Sequence, residues 1–161
     1  NKITNKDFNM KFTKIRDVKS PKRANSTDAG IDFFIPNDWE DTDIVGNQKT
    51  ILPGESVLIP SGVKVNAPEG FALVAFNKSG VATKKGLQVG ACVVDCGYQG
   101  EVHFHLTNVG EQASQIEPGQ KIIQFLLLPL GKPSIEEVSS DLLFASESSR
   151  GEGGFGSTGE I

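Results

Sequence analysis

The sequence has little cysteine, no excess of basic charge and no long apolar run, and each shortage excludes a class of protein. Two cysteines in 161 residues, Cys92 and Cys96, cannot frame a disulfide scaffold, and a reducing cytoplasm is the expected setting. Sixteen Lys and Arg stand against twenty Asp and Glu, a formal net charge of −4, so no global positive field attracts nucleic acid or an anionic membrane. Any anion must be held by a local site. No apolar stretch approaches the ~20 residues that span a bilayer, and the N-terminal residues lack a signal-peptide core, so no membrane partner is expected.

What is abundant is punctuation. Eighteen Gly and eight Pro are spread between short apolar runs, a pattern that suits many strands joined by turns better than long helices. A chain of this length fits one domain with a single layered or barrel-like core, and the expected class is all-β. Met10, Phe12 and Ile15, set among basic residues, predict a first strand exposed on one face. Residues 25–30 break it, and 31–35 form an apolar strand interrupted by Asp32, a carboxylate that needs a partner or water. Residues 37–49, with Trp39 and a run of acidic side chains, read as a polar loop without an assigned function.

The turn signals of residues 51–62 and 68–70 predict two hairpins: 51–62 reads as turn, strand, turn, Val63 to Val65 leads to the second turn, and a strand follows over 71–76. One short helix is expected over 81–85, stopped by Gly86 and turning its N-terminal N–H groups toward Ser79. After another turn region at 107–118, residues 119–128 read as a strand apolar on both faces and therefore central. Pro129 and Pro133 carry the chain out of it. Residues 149–159 are too rich in glycine to hold a fixed shape alone.

The densest chemistry lies in 90–101, read as one tight hairpin leading into the strand of Val102 to Leu106. Asp95 and Tyr98, three residues apart around the bend, put a carboxylate and a phenol near one small ligand, and the backbone at the mouth offers donors and acceptors to a flat polar ring. The plain alternative is a surface turn with a capping Asp and an exposed Tyr. The glycines of the C-terminal segment, with Arg150, Ser157 and Thr158, are the parts of a phosphate cradle, and Phe155 is an apolar anchor among them. The segment is not a Walker loop, which needs Gly-Lys-Ser/Thr opening onto a helix. Lys78 and Ser79 at a helix start suit a phosphate or a plain cap. Asp32 and Asp95 suit a hydrated cation, a base or ordinary turns. Pairing across a turn near Tyr98 would bring Cys92, Cys96, His103 and His105 to one face, a Cys2His2 zinc set of unusual spacing set against two buried thiols and two strand histidines.

Five stretches together resemble the five motifs of the homotrimeric dUTP diphosphatase (dUTPase) family: Asp28-Ala29-Gly30-Ile31-Asp32-Phe33, Lys78-Ser79-Gly80, the segment from Gly90 to Glu101, that from Gly119 to Gln124, and that from Arg150 to Gly159. Order and spacing match from about Met10 onward. The resemblance implies a distorted jelly-roll (β-clip type) barrel with one short helix, assembled as a homotrimer whose sites lie between subunits. It divides the chain into a single domain over 1–149 and a flexible tail over 150–161 that closes over an active site. The implied reaction is hydrolysis of dUTP to dUMP and pyrophosphate with Mg2+, which limits uracil in DNA and supplies dUMP for thymidylate synthesis.

Roles follow by position within that resemblance. Asp95 matches the carboxylate that aims or deprotonates the attacking water and meets the 3'-hydroxyl, and Tyr98 the ring under the deoxyribose. The backbone of Gly90, Ala91, Cys92, Val93 and Val94 matches the part that reads uracil. Asp32 matches the aspartate that reaches Mg2+ through water. Lys78, Ser79, Gly80 and Gln124 match the phosphate site, and Arg150, Phe155, Gly156, Ser157 and Thr158 the closing tail, with Phe155 over uracil. Three positions depart from the family pattern: Lys78 replaces Arg, a point charge in place of a two-pronged fork, Cys92 replaces Gly, and Ile31 replaces a frequent Tyr. A dCTP deaminase on the same fold and a non-enzymatic nucleotide-binding regulator are the competing readings. The first lacks an acid placed to activate water beside the base. Joint retention of Asp95 and Arg150 disfavours the second.

Overall fold

The structure is a computed structural model that describes residues 8–41, 43–155, 157 and 159. The chain falls into two compact units, Asn1–Gly131 and Lys132–Ile161. The first is built of short strands: β1 Lys11–Lys14, β2 Ile31–Phe34, β3 Ile44–Val45, β4 Gln48–Ile51, β5 Ser56–Pro60 and β6 Val63–Asn66. They continue as β7 Phe71–Phe76, β8 Leu87–Val89, β9 Val93–Asp95, β10 His103–Asn108, β11 Ser114–Ile116 and β12 Lys121–Pro129. One α-helix, α1 Ser79–Lys85, stands between β7 and β8, and it ends because Gly86 takes a left-handed conformation with φ 66°. It starts two residues earlier than the sequence suggests.

The strands form four sheets, ordered β1-β6, β5-β10-β8, β11-β4-β3 and β2-β12-β7-β9. All described pairings are antiparallel. The class is all-β as expected, but among the described residues the sheets do not close into a barrel. The reason is that consecutive strands separate: β5 joins β10, β6 joins β1, and β7 joins β12 and β9. The two hairpins anticipated around 51–76 are therefore sharp corners between sheets. Gly62 makes one of them at φ 72°, with Arg16 and Val18 packed where a Cβ would stand. The stretch 90–101 is likewise no hairpin, since β9 pairs with β7 whereas β10 pairs with β5 and β8. Within the presumed polar loop 37–49, β3 and β4 form a true hairpin on Gly46 and Asn47, both at positive φ, and Trp39 is buried. Lys49 holds that loop through Asp41 (2.9 Å) and Asp43 (2.8 Å). β1, expected to bury one face, is exposed along all four residues.

β12 is central, as its two apolar faces require, and its Phe125 meets Phe33 of β2 and Phe104 of β10 in a fully buried triangle with ring centroids 4.5 to 6.2 Å apart. Asn108 ties the periphery to this core. Its Nδ2 donates to the carbonyls of Ile51 and Gln112, both at 2.8 Å, and its Oδ1 accepts from Gly110 N–H at 2.9 Å. The second unit has one 3₁₀ turn, Ser140–Leu142, followed by a succession of turns. No helix among the described residues is long and apolar enough to cross a membrane.

Because the Asn108 side chain is buried and satisfies three backbone groups, Asn108→Leu should destabilise the fold by ~2–4 kcal/mol in chemical denaturation. A loss below about 0.5 kcal/mol would mean that those groups find other partners.

Candidate active site

One rung of the largest sheet gathers three of the five stretches. Asp32 on β2 lies opposite Gln124 on β12, which lies opposite Phe76 at the end of β7. The chain then passes through Asn77 and Lys78 into α1, and Gln124 Nε2 donates to the Asn77 carbonyl at 2.7 Å. Gly30 packs so closely on Gln124 that a Cβ there would overlap its Oε1. The Asp32 side chain is only 6% exposed, so its charge needs partners, and Lys78 Nζ at 2.5 Å and Lys121 Nζ at 3.3 Å supply them. Lys78, Ser79, Gly80, Lys84, Lys85 and Gln124 line a cleft of about 310 Å³ beside this rung. Three lysines line it in a chain of negative net charge: Lys78 is paired with Asp32, Lys85 Nζ donates to the Gln115 carbonyl at 2.8 Å, and Lys84 stands beside them. By sequence pattern alone Lys84 and Lys85 are residues of the short helix.

Asp95 and Tyr98 lie elsewhere. Asp95 is opposite Ala72, four residues back along β7 from Phe76, about 13 Å at strand spacing. A second cavity, of about 190 Å³, is lined by residues 91–95, Tyr98, Glu101, Val102, His103 and Phe125. The floor is the aromatic core itself, through Phe125. β9 is an edge strand, and the bond from Ala75 N–H to the Cys92 carbonyl (2.8 Å) fixes which of its groups face β7. By alternation, Val93 N–H and C=O face outward, a donor and an acceptor on one free edge. The breadth of the backbone set narrows here, since Gly90 N–H donates to the His105 carbonyl (2.9 Å) and Ala91 N–H to His105 Nδ1 (3.2 Å). Among the described residues, no hydrogen bond is made to the exposed Asp95 carboxylate.

Glu101 holds this turn in place, a role that its position at the end of a motif did not reveal. Its carboxylate accepts from Arg16 Nε at 2.6 Å, Arg16 Nη2 at 3.2 Å and Gly62 N–H at 2.9 Å. Its carbonyl accepts from Tyr98 Oη at 2.8 Å and lies 2.9 Å from His103 Nδ1. Tyr98 is thereby laid over Gly100, where a Cβ would overlap its Oη. The Arg16 guanidinium, helped by Gly62 N–H, holds the Glu101 carboxyl below the usual carboxylate range against the opposing effect of burial.

In the C-terminal unit Arg150 Nε donates to the Gly153 carbonyl at 2.7 Å, and Gly153 N–H returns a bond to the Arg150 carbonyl at 3.0 Å. Phe155 is fully exposed at positive φ, and Ser157 N–H donates to the Gly154 carbonyl. Gly156 and Thr158 lie outside the described residues.

No group of three or more His, Cys, Asp or Glu among the described residues is placed to hold a metal ion. The zinc set depended on β9 pairing with β10, and each pairs elsewhere. The donors fit no magnesium ion held by the protein alone, because both Asp32 oxygens already face ammonium groups. They do fit an ion carried on a polyphosphate and touched by one carboxylate through water.

The sequence profile of the dUTPase family matches residues 16–159. The chain belongs to the dUTPase family. A deoxyuridine 5'-triphosphate nucleotidohydrolase of Clostridium tetani (strain Massachusetts / E88) is 38% identical over 157 residues, covering 96% of this chain and 99% of its own length. A mutant dUTPase of Staphylococcus bacteriophage 80alpha, solved with dUpNHpp, superposes with a TM-score of 0.78 at 26% identity, over 97% of this chain and 99% of that one. A mutant dUTPase of S. aureus phage phi11, described with a structural Mg(II) ion, shares the fold with a TM-score of 0.67 at 21% identity, over 82% of this chain and 97% of that one. Within this dUTPase, Lys78 is held by its bond to Asp32.

The depressed Glu101 carboxyl carries a sign. A group whose folded value is lowered adds stability that is present above the ordinary carboxylate range and is lost as pH falls through the folded value. The stability gap between wild type and Glu101→Gln should therefore be widest at neutral pH and shrink below about pH 4, read as the denaturation midpoint against pH. A gap independent of pH would show that the charge of Glu101 contributes nothing.

Proposed function

We propose that this chain hydrolyses dUTP to dUMP and pyrophosphate, with the cavity of Asp95 and Tyr98 holding the nucleoside and the Lys78, Ser79 and Gln124 cleft holding the phosphates. The observation that carries the reading is the pairing, on one small cavity, of an unengaged carboxylate with a Tyr ring beside a free strand edge. A pyrimidine that offers both a donor and an acceptor suits the outward Val93 N–H and C=O, and the remaining groups from Gly90 to Val94 set that edge at its depth. Tyr98, fixed by its hydroxyl to Glu101, presents its ring to the deoxyribose and excludes a 2'-hydroxyl.

The chemistry asks little covalent work of the protein. Asp95 aims a water at the α-phosphorus and takes its proton. The new P–O bond forms as the bond to the bridging oxygen breaks, and pyrophosphate leaves with the electron pair. Lys78, with Ser79, Gly80 and Gln124, neutralises and orients the phosphate oxygens, and Asp32 holds Lys78 in position. Mg2+ bound to the triphosphate would add charge neutralisation, with Asp32 as its contact through water. In the tail, Arg150 and Ser157, with Gly156 and Thr158, serve the phosphates, and Phe155 covers the base.

We further infer a homotrimer with the site shared between subunits. The two cavities are lined by different residues, and their strand positions are about 13 Å apart along β7 within one chain. Leu58, Val93 and Val109 leave apolar surface exposed, which suits burial against a second copy. Both thiols are free, in keeping with work in a reducing cytoplasm.

Pyrophosphate release should be rapid from dUTP and far slower from dCTP, dTTP and UTP. Ammonia release from dCTP would instead favour the deaminase, and binding without turnover the regulator. Asp95→Asn should keep the fold and the KM within a few-fold while kcat falls roughly a hundredfold or more, and near-normal turnover would remove Asp95 from the mechanism. Light scattering at micromolar concentration should give three chains per particle, and a stable monomer would contradict the shared site.

A further inference from the structure

We propose that His105 is a positioning residue that sets the angle of the pyrimidine-reading strand edge. Residues 89–93 carry the chain from one sheet to another: Val89 belongs with β10, and Val93 belongs with β7. Gly90 N–H still donates to the His105 carbonyl, continuing the ladder of β8 and β10 by one residue. The Cys92 carbonyl already accepts from Ala75 N–H, beginning the ladder of β9 and β7. Ala91 is the crossing residue between the two ladders, and its N–H goes to the imidazole Nδ1 of His105 at 3.2 Å. An accepting Nδ1 carries no proton, so that bond requires the tautomer with its proton on Nε2.

The same ring fills the space over Gly90, where a Cβ would overlap Nδ1. Gly90 and His105 are therefore a matched pair: the ring needs a residue without a side chain, and the crossing needs an acceptor in that spot. His105 touches neither the cavity of Asp95 and Tyr98 nor the lysine cleft, and it acts through the backbone that leads to Val93. The inference rests on the assignment of that backbone to the pyrimidine.

Two substitutions separate its acceptor from its bulk. His105→Phe keeps a ring and removes the acceptor, and His105→Asn keeps an acceptor near the place of Nδ1. Steady-state kinetics with dUTP should show KM raised about three- to tenfold in His105→Phe with kcat within about twofold, whereas His105→Asn should stay within about twofold of wild type in both. Amide exchange at Ala91 should quicken in His105→Phe and stay slow in His105→Asn. Faster exchange with an unmoved KM would show that the crossing is held as described but does not read the base, which overturns the site assignment and the inference with it. Unchanged exchange and unchanged KM would overturn the role of His105 alone. A fall in thermal midpoint with KM untouched would make the residue merely structural. If His105→Phe does not fold, a cycle of Gly90→Ala and His105→Ala decides: the double variant should be less impaired in KM than the product of the two single effects, and strict additivity would refute the pairing.

Discussion

The Glu101 carboxylate accepts from Arg16 and Gly62 while its carbonyl accepts from Tyr98, and the turn that carries Asp95 depends on these bonds. β9 ends at Asp95 and β10 begins at His103, so the residues between them belong to no ladder and their backbone groups must be satisfied otherwise. Val102 completes the support by donating to the Val63 carbonyl and accepting from Ser61 N–H, both at 2.9 Å. A charged acceptor with three donors is a strong tether, and it binds the turn to two distant parts of the chain, the Arg16 loop and the Gly62 corner. Rigidity is thus imported to a segment that its own sequence would leave loose.

The second cluster is electrostatic. Asp32 sits in a core strand, and the cost of its burial is offset by two lysines from separate elements, one before α1 and one on β12. That arrangement aligns the start of α1 with Gln124 beside a cleft that Lys84 and Lys85 also line, the latter with its ammonium on the Gln115 carbonyl. The cavity of Asp95 and Tyr98 shares no lining residue with it.

Much of this was legible in the residues. The strands of 31–34, 71–76 and 121–129 stand close to where alternating and doubly apolar runs put them, Gly86 ends the one α-helix, and Asp32 has the partners that its strand position demanded. The strand of 11–14 was found, but not its exposure. The loop of 37–49 holds a hairpin whose turn, Gly46-Asn47, lies among acidic residues that mask its short strands in the sequence. Glu101 entered only as the end of a motif and His105 only as a zinc candidate, since a glutamate after a turn and a histidine in an alternating strand acquire their structural meaning from what lies across from them.

Alone, then, the sequence determined the class, the positions of most strands, the breaks between them and the set of residues able to do chemistry. Those properties are local: side-chain branching, period-two alternation and glycine at positive φ act within a few residues. Only the tertiary structure decided which strands pair. Alternation says which face of a strand is buried and is silent about its neighbour, so adjacent strands looked like hairpins at 51–76 and 90–106. Long-range packing joins Phe33, Phe104 and Phe125 across the sheets that hold β5 and β7, while β6 pairs with β1 and β9 is parted from β10.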